Sequence, residues 1–385
     1  MTTFVTAKNG MRTFGGSEDA FDIYNSTCFK GVAIIMMIIH HCFLSPKRYE
    51  GQNLIFLIPE NLLNYIALFF KICVCIFVFI SAYGITKKMM SLETLSDNGK
   101  VQVFIRNLIS SRIVKLLGGF IFVILLVDLF GWFYDPGRFA KVYGMEFPDN
   151  IGYFLIDIFG LAEIFQTPTF LATFWYYSLA IVLIVITPLL YLLMKKIGCL
   201  PFLSLMTIIN LLLKFENKNI WQFFLCICVG IICASENTIT KIVNYKVYKN
   251  NIINDLIKLV FEVILLFVLM VFRESALKEP LCPIWNAIIP VVLGAFGCEF
   301  LFKIPVIKQV LSVLGKYSAN IFLVHNFIRI VWFYDFTYSF KYPILIVTVL
   351  LLISLVLSIL IELLKKVIGY NRFVGWLAKC VQTAE

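Results

Sequence analysis

Histidine is scarce in this chain: 3 in 385 residues. Charge is scarce too, at 15% of residues, where a soluble protein carries about 25%. No Cys-x-x-Cys pair occurs among the 11 cysteines. With so few histidines there is no zinc spacing, so neither a disulfide framework nor a metal site is expected. Cys73, Cys75, Cys226, Cys228, Cys233 and Cys298 fall inside apolar runs, where a thiol serves as a small hydrophobe. A small-residue cleavage site is also missing behind the first apolar run, and residues 1–28 are polar. That run is therefore expected to stay as a membrane helix rather than act as a secretory signal. Acid is outnumbered, giving a net charge of +10. In so apolar a chain, excess Lys and Arg mark cytoplasmic loops, and no nucleic-acid partner is expected.

What is abundant is apolar sequence, 61% of residues against about 45–50% in soluble proteins. It falls in runs of roughly 17–25 residues, the length that crosses a bilayer. Ten spans are expected: 28–44, 62–86, 113–134, 172–194, 199–213, 220–235, 254–272, 283–302, 317–334 and 342–364. The fold class is thus all-α, a polytopic bundle of about ten transmembrane helices. A cytoplasmic segment 1–27, a membrane domain 28–366 and a tail 367–385 divide the chain. The loops at 87–112, 195–198, 236–253, 303–316 and after 364 hold five, two, three, three and four Lys or Arg. The alternate loops at 45–61, 135–171, 214–219, 273–282 and 335–341 hold two, two, two, two and one. This asymmetry puts both termini in the cytoplasm, with the protein integral to the plasma membrane and solvated by its lipid. Segment 150–170, interrupted by Asp157, Gly160 and Glu163, reads as an interfacial or re-entrant helix. It belongs to a long acidic loop that is either a lid or a solvated connection.

Charge inside a membrane is costly, so ionisable residues there are functional candidates. They are Lys30, His40, His41, Lys71, Asp128, Glu262, Glu299 and His325, of which Lys71 and Glu299 could snorkel. The stretch "FKGVAIIMMIIHHCF" (29–43) holds three of them. Lys30 and His41 are eleven residues apart, three turns plus about 20°, hence on one helix face and about 16 Å apart along it. His40 points about 100° away. A cation at one end and a histidine at the other suit an extended ligand, anionic near Lys30 and reactive near His41. Histidine is the general base that works near neutral pH. The competing reading is a pair of packing histidines.

In "NLISSRIVKLLGGF" (107–120), Arg112 and Lys115 share a helix face, with Arg106 upstream. They are either a phosphate site, to which arginine's fork is suited, or ordinary flanking charge. "FVFISAYGITKK" (77–88) sets Ser81, Tyr83 and Gly84 near a helix end, small enough for another helix to approach. Trp175 in "FWYYS" reads as interfacial aromatic. His325 in "GKYSANIFLVHNFIRI" either bonds within the bundle or assists His41.

These stretches, in order, resemble the acyltransferase-3 family. "FKGVAIIMMIIHH" resembles its first motif, a basic residue before Gly and a histidine eleven on. "FVFISAYG" resembles its second-helix motif, "SRIVKLL" its RxxR motif and "LGKYSANIFLVHNFI" its C-terminal motif. The resemblance implies an acyl-coenzyme A-dependent O-acyltransferase, usually an acetyltransferase. It implies acetyl-CoA as co-substrate and a glycan or lipid-linked saccharide as acceptor beyond the outer face. His41 matches the catalytic histidine and Lys30 its basic partner; Arg112 and Lys115 match the donor-binding pair. His40, Ser81, Tyr83, Trp175 and His325 are supporting. Lys30 and Lys115 stand where arginine is usual, and Ala82 where glycine is common. The alternative is a transporter or flippase of a lipid-linked sugar, without acyl transfer.

Overall fold

The computed structural model describes residues 19–91, 98–213, 218–275 and 281–382. Helix α1 (Ile23–Phe43) starts before the expected boundary at 28, because Asp22 caps it. Its Oδ1 accepts the Asn25 N–H at 2.6 Å. Ser26 and Thr27, which hide the helix from a hydropathy reading, donate back to Ile23 O at 2.9 and 2.7 Å.

Helix α2 (Glu60–Phe69) runs through a 3-10 turn into α3 (Cys73–Met90), and α4 (Asn98–Tyr134) follows. Three short helices come next: α5 (Arg138–Tyr143), α6 (Asp149–Ile158) and α7 (Ala162–Phe165). Then come α8 (Trp175–Ile197), α9 (Cys199–Leu212), α10 (Lys218–Trp221), α11 (Phe224–Ser235), α12 (Thr238–Asn244) and α13 (Asn251–Ser275). The chain continues with α14 (Cys282–Glu299), α15 (Pro305–Lys316), α16 (Ser318–Asn326), a π-helical turn (Phe327–Trp332) and α17 (Tyr334–Tyr338). It closes with α18 (Pro343–Val367) and α19 (Tyr370–Cys380). No strand is present among the described residues.

The expected ten spans are not reached. Six helical stretches are long and apolar enough to cross a membrane, or seven if the pair bent by 62° between α11 and α12 is one span. The span expected at 199–213 is α9, only 14 residues and hence about 21 Å long, against a hydrocarbon core of about 30 Å. The span at 254–272 lies in α13, which carries Asp255, Lys258 and Glu262. The span at 317–334 is broken where α16 gives way to the π-helical turn.

Helix α1 packs on α2, α3, α15, α16 and α18. Its contact with α15 is made by bare backbone: a Cβ on Gly31 would lie 2.1 Å from Leu311 O, and one on Gly315 1.8 Å from Thr27 O. The close approach expected beside Gly84 is displaced. A Cβ on Gly84 meets nothing within 4 Å, whereas α11 reaches α3 through Gly230, whose Cβ would lie 3.0 Å from Ala82 Cβ.

Several buried charges pair structurally. Lys258 meets Glu299 at 2.6 Å, beside Glu262, and donates to Ile242 O and Val243 O. The 135–171 segment carries three short helices and is anchored to the bundle through Tyr143, Ile158, Phe170 and Leu171, while Met145, Phe147 and Phe165 stay exposed. Asp157, 1% exposed, accepts from Tyr143 Oη (2.7 Å), Thr169 Oγ1 (2.8 Å) and Phe170 N (2.6 Å). The supposed tail contains α19, laid on α4, with Tyr370 Oη donating to Gly118 O at 2.9 Å and Val374 over Gly118.

Lysine pairs end α3 (Lys87, Lys88), α8 (Lys195, Lys196) and α18 (Lys365, Lys366). Lys87 pairs with Asp19 at 2.8 Å, which sets the end of α3 beside the start of α1. The Lys30 end of the bundle is therefore the lysine-rich one.

Candidate functional site

The last turn of α1 presents both histidines. His40 is buried and its Nδ1 donates to Ala67 O at 2.7 Å, tying α1 to α2. His41 is half-buried and its Nδ1 lies 2.6 Å from His325 Nε2. The two rings are inclined by only 8° with centroids 4.9 Å apart. That separation is the N···N distance plus one ring radius at each end, so the rings lie end to end rather than face to face.

The partners decide the tautomers. His325 Nδ1 meets two carbonyls, Phe322 O at 2.8 Å and Ile321 O at 3.1 Å. Carbonyls only accept, so Nδ1 carries the hydrogen and the neutral ring offers a lone pair at Nε2. His41 Nδ1–H donates to it, which leaves His41 Nε2 as the basic nitrogen. A chain from backbone carbonyl through His325 to His41 thus orients His41 Nε2, the ring nitrogen of this pair that has no hydrogen-bond partner among the described residues. An oriented imidazole of this kind is what general-base chemistry needs.

Both histidines of α1 line a cavity of about 390 Å³, with Met37, Trp175 and Tyr176 among its walls. Met37, seven residues after Lys30 and four before His41, shares their face of α1. Leu171, Ala172 and Thr173, between α7 and α8, close one side. Trp175 stacks on Phe223, with ring centroids 5.9 Å apart. Ser81 is within hydrogen-bonding reach of Tyr176.

At the other end of α1, Lys30 is half-buried and near enough to Arg112 for their charges to repel. No ion pair neutralises either among the described residues. Arg112 Nη2 only reaches Gly84 O, at 3.5 Å. Two adjacent, unneutralised cations make a site that an anion would relieve.

The other predicted residues go elsewhere. Lys115 lines a second cavity, of about 760 Å³, with Lys316, Lys365 and Lys366. Arg112 is not among its walls, so the structure does not join Arg112 and Lys115 in one pocket. The Arg106 side chain is exposed. Tyr83 donates to Asp19 at 3.3 Å, in the network that holds Lys87 and Thr240 at the start of α1.

Sequence reasoning missed Arg48 and Arg329, which also line the histidine cavity. Arg329 had a visible signal: it stands in an apolar run four residues after His325, one helical turn on.

A family model described as an acyltransferase domain matches residues 23–363, nearly the whole chain. No curated protein and no solved structure matches. The chain belongs to the acyltransferase-3 family.

Proposed function

We propose that this member of the acyltransferase-3 family is an acyl-CoA-dependent O-acyltransferase. It would carry an acetyl group from cytoplasmic acetyl-CoA to a hydroxyl of a cell-surface or lipid-linked glycan at the outer face of the plasma membrane. The observation that carries this reading is the His41 Nε2, freed by the His325 hydrogen bond inside a cavity. It shares a helix face with Lys30, about 16 Å away along α1.

The lysine-rich end of the bundle is the cytoplasmic one in this proposal, as positive-inside bias requires, with both termini on that side. The membrane domain of this proposal begins with α1 at Ile23 rather than at 28, and α19 lies beyond its last long helix. Ten passes result if α9, α13 and the α16 segment cross along with the seven apolar stretches. Exposed Leu256, Phe261 and Ile264 of α13 would face lipid.

The phosphates of the donor rest against Lys30 and Arg112, and its pantetheine arm follows α1 past Met37; Lys115, on the wall of the other cavity, and the exposed Arg106 would meet the donor only outside that pair. His41 Nε2 takes the proton of the acceptor hydroxyl as that oxygen bonds to the thioester carbonyl carbon. The imidazolium so formed is stabilised through its Nδ1–H to His325. The tetrahedral intermediate then breaks its C–S bond, and the leaving thiolate receives the proton from Nε2. The ester, free coenzyme A and neutral His41 remain.

Equilibrium binding and single-turnover transfer with radiolabelled acetyl-CoA test this on the purified full chain. Saturable binding weakened in Arg112→Ala, and transfer lost in His41→Ala without a labelled protein intermediate, are expected. No binding at millimolar acetyl-CoA would favour a flippase. Full transfer by His41→Ala would refute the enzyme mechanism, and a covalent adduct lost in His41→Ala would replace the general base by an acyl-histidine.

A further inference from the structure

We infer that the cavity at the His41 end recognises its acceptor through an oxyanion, a phosphate or carboxylate attached to the saccharide. This inference rests on the acyltransferase reading above and names the class of acceptor.

The walls of that cavity include Arg48, Lys71 and Arg329, and no aspartate or glutamate. Glu274, ion-paired with Arg273, also lies near enough to Lys71 for their charges to attract. No acid is so placed beside Arg48 or Arg329 among the described residues. Arg329 is 2% exposed, and its Nε donates to Asn326 Oδ1 at 2.9 Å, which fixes the plane of the guanidinium. Its edge also meets the Tyr338 hydroxyl. Its Nη1 is buried with no hydrogen-bond partner. Arg48, on the turn Pro46–Tyr49, is close enough for its charge to act on Arg329. Neither arginine has an ion pair among the described residues. Asp335, on α17, accepts from Gln52.

A buried guanidinium with an idle donor, near enough to feel the charge of a second guanidinium on the same cavity wall, is an unfavourable arrangement for an empty or neutral cavity. It becomes favourable when an oxyanion accepts from both, since the planar fork matches phosphate and carboxylate. Arg329 lies in the π-helical turn, one turn beyond His325. Insertions of this kind recur at functional sites. An acceptor held there by its charge would bring a neighbouring hydroxyl toward the histidines that share the cavity. A role confined to the oxyanion of the tetrahedral intermediate would serve charged and neutral acceptors alike.

The test is a binding titration of the full chain in lipid nanodiscs with three probes. They are a uronate-containing trisaccharide, the same trisaccharide with its carboxyl reduced to an alcohol, and a short polyprenyl pyrophosphate. At least one charged probe should bind tenfold or more tightly than the reduced trisaccharide, and Arg329→Gln should abolish that difference. Preference for the uronate puts the charge on the sugar; preference for the pyrophosphate puts it on the lipid link. Arg48→Gln, on a half-buried turn, is the second variant and should cut the difference at least threefold even where Arg329→Gln fails to yield monodisperse protein. The inference is overturned if neither charged probe outbinds the neutral one, or if every variant that folds keeps the discrimination. Acetyl-CoA binding on the same samples separates the two readings. Retained acetyl-CoA binding without charge discrimination defeats only this inference. Discrimination without acetyl-CoA binding defeats the enzyme reading and leaves the anion site standing.

Discussion

His41 and His325, 284 residues apart in the chain, meet at 2.6 Å through Nδ1 and Nε2 in nearly coplanar rings. Because His325 Nδ1 is committed to backbone carbonyls, the pair has one orientation, and His41 Nε2 is the group left to react. Removing His325 should therefore act through His41. In His325→Ala, turnover should fall roughly 10- to 100-fold, as when an orienting partner is lost from a reactive histidine. His41→Ala should cost about 10²–10⁴-fold, the usual worth of a general base. The double variant should be no slower than His41→Ala alone, since the two residues form one unit. Multiplying losses, or a changed KM for acetyl-CoA in His325→Ala, would contradict this.

Lys30 and Arg112 lie near one another, and neither has an ion pair with an acid among the described residues. A lysine in a structural ion pair destabilises the fold when removed; a lysine held against another cation does not. Lys30→Met should leave the thermal unfolding temperature of the ligand-free protein unchanged or raised. Acetyl-CoA binding should weaken by about tenfold or more, the worth of a charge-assisted hydrogen bond. Lys30→Arg should retain binding. A lower unfolding temperature with unaltered affinity would assign Lys30 to the scaffold instead.

The Lys30–His41 relationship was legible in the sequence because it needs only one unbroken helix and its period. The meeting of His41 with His325 was not, because nothing local records which helices become neighbours. Arg329 was visible but overlooked among the apolar residues around it. Of the ten spans read from hydropathy, six or seven meet the length and apolarity of a crossing helix, since hydropathy registers apolar runs and not the π-helical turn after Asn326 or the shortness of α9. The start of α1 was misplaced because Ser26 and Thr27 look like loop residues, although both donate within the helix. The α1–α15 contact was hidden for a different reason. Gly31 and Gly315 show their purpose only once a backbone lies against each of them.

Acid should loosen the start of α1. Burial pushes the Asp19 carboxyl up, but Lys87, Thr240 and the Phe21 N–H bind its charged form and hold it below the ordinary aspartate value. An acid lowered in this way stabilises the fold above its unfolded value of about 3.9, and the contribution fades as pH falls through the folded value. Proteolysis near residues 19–27 should therefore accelerate below about pH 4 in the wild type. Asp19→Asn should already be susceptible at pH 7 and show little further change on acidification. A wild-type cleavage rate that does not vary between pH 3 and pH 7 would refute the role given to this carboxylate.

Gly31 adjoins Lys30, and the space for its side chain is occupied by the Leu311 carbonyl oxygen, 2.1 Å from an added Cβ. Backbone cannot swing aside as a side chain can, so Gly31→Ala must separate α1 from α15 or bend one of them. Overpacking of this order costs about 1–3 kcal/mol. Gly315→Ala should cost a similar amount, because its Cβ would meet Thr27 O from the other side. Gly84→Ala is the matched control: it is helical, its Cβ would meet nothing within 4 Å, and it should gain about 0.5–1 kcal/mol from helix propensity. Denaturation of the three variants in the same detergent gives the comparison. If Gly31→Ala and Gly315→Ala unfold no earlier than Gly84→Ala, α1 and α15 do not touch backbone to backbone.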